Sequence, residues 1–172
     1  AVGKLLGQQA AKGLKRGTVE LGGHAPGIVC ADADVDQAAG MLVAGKFRNA
    51  GQICIAPTRF YVHAQVYDAF VQAFVERTRQ LVPGNGLQES SSMGPLANPR
   101  RLQAMRTLID DAVQRGARVE CGGQPIEGPG FFWQPTVLTG VPEDARLMNE
   151  EPFGPLALIN RVDSVEEAIE RS

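Results

Sequence analysis

Cysteine is scarce in this sequence, and its copies are far apart. Cys30, Cys54 and Cys121 are the only three cysteines, and they form no CxxC pair. Structural zinc sites and disulfide frameworks need closely spaced or paired cysteines, so the sequence indicates neither. Disulfides persist in oxidising compartments. Because none is expected here, we predict a reducing compartment, the cytoplasm.

The sequence also lacks an excess of positive charge and any long apolar run. Its 17 Lys and Arg residues are set against 19 Asp and Glu residues, for a formal net charge of −2. Nucleic-acid-binding domains present a basic face, and a membrane helix needs ~20 consecutive apolar residues. We therefore expect neither a nucleic-acid partner nor insertion into a membrane.

Metal-binding motifs are missing as well. His24 and His63 have no second ligand at metal spacing. Residues 32–36 (DADVD) resemble the start of a calcium loop, but Gln37 and Val43 stand where that loop needs glycine and glutamate. We expect no metal, and we interpret these acids as helix caps.

Helix-like and strand-like patterns alternate along the chain, which predicts an α/β fold with helices on both faces of a mainly parallel, twisted sheet. Pro135 favours an edge position for its strand, and Asp32 or Asp34, and later Asp163 or Ser164, are expected to cap helices. The predicted helices cover residues 5–14, 35–47, 66–81, 99–115 and a segment after 164. The predicted strands cover residues 18–21, 27–31, 60–63, 117–121, 131–139 and 156–159.

Cys54 is the first candidate for chemistry. It ends the segment 47–54 (FRNAGQIC), where Asn49 and Gly51 allow a tight backbone path between a helix and a strand. Backbone N–H groups around such a turn favour the nucleophilic thiolate and can hold an oxyanion formed by attack on a carbonyl. The alternative, which the residues alone leave open, is a buried cysteine that acts as a small apolar side chain.

Two further segments carry candidate carboxylates. Glu20 ends an apolar run before two glycines, where partial desolvation would raise its pKa toward that of a useful base. Residues 150–155 (EEPFGP) place two acids ahead of a rigid turn with an aromatic ring, and a carboxylate held there suits the hydroxyls of a diol. An exposed strand end and a solvated turn are the alternative interpretations.

In their order and spacing, these three segments resemble the aldehyde dehydrogenase superfamily. The motifs that carry the resemblance are residues 20–26 (ELGGHAP), 47–54 and 150–155, with support from 94–95 (GP), 122–123 (GG) and 134–138 (QPTVL). The resemblance runs over essentially the whole chain. It implies the fold of that family's catalytic domain over residues 19–172, truncated relative to the parent enzyme. Residues 1–18 would then be the tail end of the cofactor-binding domain.

The resemblance also implies roles for individual residues. Cys54 would attack the aldehyde to give a thiohemiacetal, which becomes a thioester when hydride leaves for NAD or NADP. The Cys54 backbone N–H would supply half of the oxyanion hole, and Glu20 would activate the water that hydrolyses the thioester. On the cofactor side, Glu151 would bind the nicotinamide ribose and Phe153 would pack by the nicotinamide. Leu21 and Gly3 complete the set of implied cofactor-binding residues.

The branch that the sequence resembles most is the succinate-semialdehyde dehydrogenases. Residues 3–6 (GKLL), 46–52 (KFRNAGQ) and 82–87 (VPGNGL) carry this resemblance. It implies that Arg48 binds the substrate carboxylate, as a guanidinium does well. The branch often has a second cysteine two positions after the nucleophile, and that position is Ala56 here, so no redox switch is expected. The segment 55–59 (IAPTR) also departs from the pattern of the branch.

Two alternatives stand beside this hypothesis. One is a CoA-acylating relative, but such an enzyme needs no general base at Glu20. The other is a structural or assembly fragment without activity. The sequence has no initiator Met and has helical patterns at both ends, so we expect a fragment of a longer protein. We predict that the fragment alone is inactive and that the parent is a homodimer or homotetramer.

Overall fold

A five-stranded sheet forms the centre of the structure, a computed structural model that describes residues 2–172. Four strands run parallel in the order β1-β2-β5-β4, and β3 adds to β4 antiparallel at the edge. The strands are β1 Pro26–Val29, β2 Arg59–His63, β3 Arg118–Cys121, β4 Thr136–Thr139 and β5 Leu156–Val162. The helices are α1 Val2–Lys12, α2 Val35–Phe47, α3 Tyr67–Arg79, α4 Pro99–Gln114, α5 Arg146–Asn149 and α6 Val165–Glu170. The predicted α/β class with a mainly parallel sheet is confirmed.

The core lies on both sides of the central strands. Every residue of β4 is buried, and in β5 only Arg161 is exposed. Neighbouring residues of a strand point to opposite faces, so continuous burial means that both faces are covered. Phe74 of α3 anchors one side, with ring centroids 5.2 Å from Phe60 and 5.6 Å from Phe70.

Local capping chemistry places the starts of three helices where the sequence predicts them. The Asp34 carboxylate accepts a 3.0 Å hydrogen bond from the Gln37 N–H at the start of α2. The Ser164 hydroxyl accepts one of 3.1 Å from the Glu167 N–H at the start of α6. Pro99 occupies the first turn of α4, where a missing N–H costs nothing.

Two predictions about strands are wrong. Residues 18–21 form no strand, and their side chains are exposed, because no neighbouring strand offers a hydrogen-bonding partner. The strand that follows Pro135 lies inside the sheet between β5 and β3, not at an edge. Pro135 sits directly before the first residue of β4, so its missing N–H removes no bond from the ladder.

Within residues 2–172, no helix has the length and apolar character needed to cross a membrane. No group of three or more His, Cys, Asp or Glu side chains in this part of the chain is arranged to hold a metal ion. Cys30, Cys54 and Cys121 are all free thiols.

The parallel strands bring the three sequence motifs to one edge of the sheet. Residues 20–25 lead into β1, residues 47–58 into β2 and residues 150–155 into β5. These strands are adjacent and parallel in the order β1-β2-β5. The motifs therefore meet at the amino ends of the strands, whereas ligands of open parallel sheets usually bind at the carboxyl ends.

Candidate active site

The segment before Cys54 is a left-handed turn, which we call the thiol loop (residues 48–54). Asn49, Ala50 and Gly51 have φ angles of 50°, 53° and 71°. This conformation costs an ordinary L-residue roughly 1–2 kcal/mol. Asn49 and Gly51 tolerate it well, so the strain falls mainly on the buried Ala50. The turn ends α2 and leaves the Cys54 side chain exposed.

Gln52 fixes the thiol loop on both sides. Its backbone N–H and its side-chain Nε2 each donate a 3.1 Å hydrogen bond to the Asn49 carbonyl. The Gln52 side chain also contacts a segment that is distant in the sequence. Its Nε2 lies 3.3 Å from the Pro95 carbonyl, and its Oε1 accepts a 2.9 Å bond from the Ala97 N–H. The residues just before α4 therefore act as a second support for the loop.

The segment 150–155, which we call the carboxylate loop, is held from α4. Arg101 Nη2 donates to the Pro152 carbonyl and lies 3.5 Å from the Phe153 carbonyl. Phe153 has a φ of 41°, a conformation that persists only where surrounding contacts impose it. Burial lowers the pKa of Arg101, and the Glu151 carboxylate partly offsets this effect.

The loops of the site contact one another at glycines, which have no side chain to keep the backbones apart. A methyl group built on Gly51 would overlap the Gly154 carbonyl, so the thiol loop and the carboxylate loop approach through their backbones. A methyl group built on Gly22 would overlap Oε2 of Glu151. Glu151 is half-buried and lies against Gly22 in the first motif. All three motifs are therefore brought together by direct contact.

Lys46 lies beside the contact of the two loops at Gly51, and it was not among the site residues predicted from the sequence. Only 1% of it is exposed, and its Nζ lies 3.2 Å from a methyl group built on Gly51. Burial lowers the pKa of Lys46 to about 7, against the raising effect of Glu151. Lys46 shares a stripe of α2 with the buried Ala39 and Val43, and that spacing could have revealed its burial.

The first motif is anchored through His24. Its ring Nε2 is 2.9 Å from the Leu147 carbonyl, and its own carbonyl accepts a 2.8 Å bond from Arg59. Burial is the main cause of the lowered pKa of His24, and the nearby charges of Arg59 and Lys46 add to it. His24 is therefore neutral around pH 7, which suits a structural contact.

The remaining predicted site residues lie at the surface. Glu20 is exposed, so the expected partial desolvation of its carboxylate is wrong for this chain. Leu21 is 61% exposed, and it contacts Gly3, where a built methyl group would be 2.7 Å from Leu21 Cδ2. Arg48 and Phe153 are also exposed.

Comparison with known proteins covers the whole chain. The model of the aldehyde dehydrogenase family matches residues 1–172. A 4-(hydroxymethyl)benzenesulfonate dehydrogenase of Comamonas testosteroni is 48% identical over 168 residues, which are 98% of this chain and 35% of that protein. Succinate-semialdehyde dehydrogenase (NADP+) 1 of Mycobacterium ulcerans is 42% identical over 168 residues, covering 98% of this chain and 37% of the relative.

The solved structures agree with this result. The crystal structure of succinate-semialdehyde dehydrogenase from Burkholderia pseudomallei superimposes with a TM-score of 0.95 at 42% identity. The match covers 99% of this chain and 35% of that structure. The chain thus spans about a third of the length of the curated relatives it matches.

Proposed function

The chain belongs to the aldehyde dehydrogenase family, and we propose that the full-length protein carrying it oxidises an aldehyde to a carboxylate with NAD or NADP. The observation that carries this proposal is the contact of the thiol loop with the carboxylate loop at Gly51 and Gly154. Cys54, the proposed nucleophile, and Glu151, the proposed cofactor-binding residue, belong to these two loops, which share one backbone junction. Residues 19–172 act as the thiol-bearing catalytic domain, and residues 1–18 belong with the cofactor-binding part.

The chemistry begins at Cys54. Its thiolate attacks the aldehyde carbon, and the carbonyl oxygen becomes an oxyanion that the Cys54 backbone N–H helps to stabilise. The exposed position of the thiol, on a loop held by Gln52, suits attack on a substrate that arrives from outside. Loss of hydride from the resulting thiohemiacetal leaves a thioester on Cys54. Glu20 takes a proton from the water that hydrolyses the thioester.

NAD or NADP supplies the hydride acceptor when it is bound. The residues of the carboxylate loop fit such a group. The carboxylate of the half-buried Glu151 can accept hydrogen bonds from a ribose diol, and Phe153, a residue that is 38% exposed, offers an aromatic ring. Gly3 and Leu21, which contact each other, are also assigned to cofactor binding. Several relatives are named as NADP(+) enzymes, and this favours NADP among the two dinucleotides.

An aldehyde with an acidic group is the proposed substrate class, with succinic semialdehyde as its first member. Arg48 is exposed six residues before the nucleophile, where its guanidinium can pair with an anionic group of the substrate. Relatives named for succinate semialdehyde and for a benzenesulfonate compound both point to an anionic organic substrate. The proposed products are succinate and reduced cofactor.

The parent is proposed to act in the cytoplasm as a homodimer or homotetramer. The three free thiols suit a reducing compartment. The CoA-acylating alternative remains disfavoured by Glu20, which has no role in that reaction. The structural-fragment alternative applies to this chain when it is separated from the rest of its enzyme.

A substrate screen of the full-length protein tests the proposal. Succinic semialdehyde and butyraldehyde are offered with NAD and with NADP, and reduced cofactor is followed by its absorbance. Cys54→Ala should lower kcat by more than about 1,000-fold, while Cys30→Ala, which changes another free thiol, should leave it near the wild-type value. Glu20→Gln should give a burst of reduced cofactor followed by slow release of the acid. Normal turnover by the Cys54 variant would overturn the proposal.

A further inference from the structure

Arg101 holds the backbone of the carboxylate loop at two consecutive peptide groups. It lies in the first turn of α4. Its Nη2 donates a hydrogen bond to the Pro152 carbonyl and a longer one, of 3.5 Å, to the Phe153 carbonyl. This nitrogen carries two N–H bonds in the fixed plane of the guanidinium, so a single side chain can hold both carbonyls in one orientation. Arg101 therefore restrains the loop at Pro152 and at Phe153.

The restrained peptide groups are those that form the turn of the carboxylate loop. Phe153 has a φ of 41°, in the left-handed region that a bulky L-residue rarely adopts. A residue keeps such a conformation only where surrounding contacts impose it. The hydrogen bonds of Arg101 fall on Phe153 itself and on the residue before it. They therefore act at the point where the backbone needs a restraint.

Gly154 confines the same turn from the other side. A methyl group built on Gly154 would overlap the sulfur of Met105, which lies one turn beyond Arg101 in α4. A methyl group built on Gly51 would overlap the Gly154 carbonyl. The backbone that follows Phe153 is therefore enclosed between α4 and the thiol loop, whereas the Phe153 residue remains exposed. The turn thus fixes the backbone and leaves the aromatic ring available to a ligand.

We propose that Arg101 is a positioning residue that sets the left-handed turn at Phe153 and so presents the Phe153 ring to the nicotinamide. It does this through its hydrogen bonds to the Pro152 and Phe153 carbonyls. This inference rests on the proposed function, in which Phe153 packs by the nicotinamide. A loop that is held in its bound conformation loses less conformational freedom when the cofactor binds. Arg101 therefore acts on the cofactor through Phe153.

A purely structural role for Arg101 predicts a different result. Arg101 is half-buried, and its Nε is shielded from water without a hydrogen-bond partner among residues 2–172. A buried N–H without a partner destabilises the fold. Met retains an apolar stem of similar length and removes that N–H, so Arg101→Met should fold with a melting temperature close to that of the wild type. A structural role would instead lower the melting temperature and leave the cofactor affinity of the folded molecules unchanged.

Hydrogen exchange in the full-length protein, without cofactor, tests the hold of Arg101 on the loop. Deuterium uptake by a peptide that contains residues 150–156 is followed by mass spectrometry. Arg101→Met should exchange about tenfold faster there than the wild type. Arg100→Met is the matched control, because Arg100 is the neighbouring residue of α4 and is exposed, and it should match the wild type. Equal uptake in all three proteins, or faster exchange that extends equally to α6, would overturn the proposal.

A double-mutant cycle in the full-length protein tests the link from Arg101 to the cofactor. The Kd for NADP is measured by fluorescence titration, with no aldehyde present, for the wild type, Arg101→Met, Phe153→Ala and the combined variant. Arg101→Met should raise the Kd about tenfold, within the range of directly coupled neighbours. The combined variant should bind about as weakly as Phe153→Ala. Additive effects would mean that Arg101 acts independently of Phe153, and they would overturn the proposal.

Measuring binding apart from turnover separates this inference from the proposed function. A wild type that binds NADP but oxidises no aldehyde would overturn the proposed function, while the coupling of Arg101 to Phe153 would still be read from the four Kd values. A wild type that oxidises aldehydes, with no coupling in those Kd values, would overturn only the role of Arg101.

Discussion

At the scale of single residues, the thiol and the side chains assigned to the substrate and to water activation are exposed, whereas the residues behind them are partly or fully buried. Cys54, Arg48 and Glu20 are at the surface, whereas Gly51 of the thiol loop and the nearby Lys46 are buried. The physical reason is that reacting groups must meet a substrate, while their support comes from packing and from backbone contacts that exclude water. Each residue can therefore be tested for one of these two roles.

Arg48 is expected to determine substrate preference. Replacing it with alanine in the full-length protein should raise the KM for succinic semialdehyde about tenfold or more, since a charge-assisted pair with a carboxylate is lost. The KM for butyraldehyde should change little, and steady-state kinetics with both aldehydes provide the measurement. Arg106 of α4, which is also exposed, is a matched control as Arg106→Ala. Equal effects on both aldehydes would remove Arg48 from the substrate site.

Lys46 is expected to make folding stability depend on pH. Its pKa is about 7 in the folded chain and 10.5 as the ordinary value, so the unfolded chain binds more protons between these two pH values. The free energy of unfolding should therefore increase with pH across this window, by up to about 1.4 kcal/mol per pH unit from this group. Below pH 7 both states are protonated, and this contribution is flat.

Urea denaturation of the wild type and of Lys46→Met at several pH values measures the effect. The difference between the two free energies isolates Lys46 from the other titrating groups. That difference should change between pH 7 and pH 10 in favour of the wild type. A constant difference would mean that the pKa of Lys46 is not lowered by burial.

At the scale of elements, the thiol loop depends on a segment that is distant in sequence. The turn itself follows from Asn49, Ala50 and Gly51, but its attachment runs through Gln52 to Pro95 and Ala97, just before α4. The helix α4 itself holds the carboxylate loop through Arg101. The helix and the residues that lead into it therefore support the two loops, and a change there should affect both stability and catalysis.

Gln52 provides the test of this support. Gln52→Leu should lower the free energy of unfolding by about 1.5–4.5 kcal/mol, because its side chain bonds three backbone groups and each bond contributes about 0.5–1.5 kcal/mol. It should also lower kcat, because Cys54 is then less firmly held. Gln72→Leu on α3 is the control, since the Gln72 side chain donates to the exposed Glu76. Identical stabilities of the two variants would contradict the support role.

At the scale of the whole molecule, the sheet order explains why the site forms. The three motifs precede β1, β2 and β5, which are neighbours in the sheet although β5 follows β2 by almost a hundred residues. The parallel direction of these strands brings their amino ends to a single edge. The chain nevertheless spans about a third of its curated relatives, and a full dinucleotide site needs a Rossmann-like unit.

The 172-residue chain by itself is therefore expected to be inactive. With succinic semialdehyde and either dinucleotide, it should form no measurable NADH or NADPH under conditions in which the full-length protein turns over rapidly. Alkylation of Cys54 by iodoacetamide, followed by mass spectrometry, would confirm that the thiol is accessible in the same sample. Robust formation of reduced cofactor by the chain alone would show that residues 2–172 already hold a complete site.

Much of the architecture could be predicted from the sequence, because short-range chemistry decides it. The Asp34 and Ser164 caps, Pro99 at the start of α4 and the apolar run of β5 are read from neighbouring residues alone. The predicted strand at residues 18–21 was wrong, because a strand needs a hydrogen-bonding partner and a local sequence pattern does not show whether one is present. The predicted edge position of the strand after Pro135 was wrong for a related reason. The order of the strands depends on how all strands of the sheet pair, and no single residue determines it.

The sequence by itself determined the thiol motif, the two glutamates that accompany it and the family, since these depend on residue types at fixed spacings. Only the tertiary structure decided that Gly51 lies on Gly154, that Glu151 rests against Gly22 and that Lys46 is buried beside Gly51. The first two contacts join residues more than a hundred positions apart. They form because three parallel strands end at one edge, where glycine backbones can approach and a cation can be enclosed.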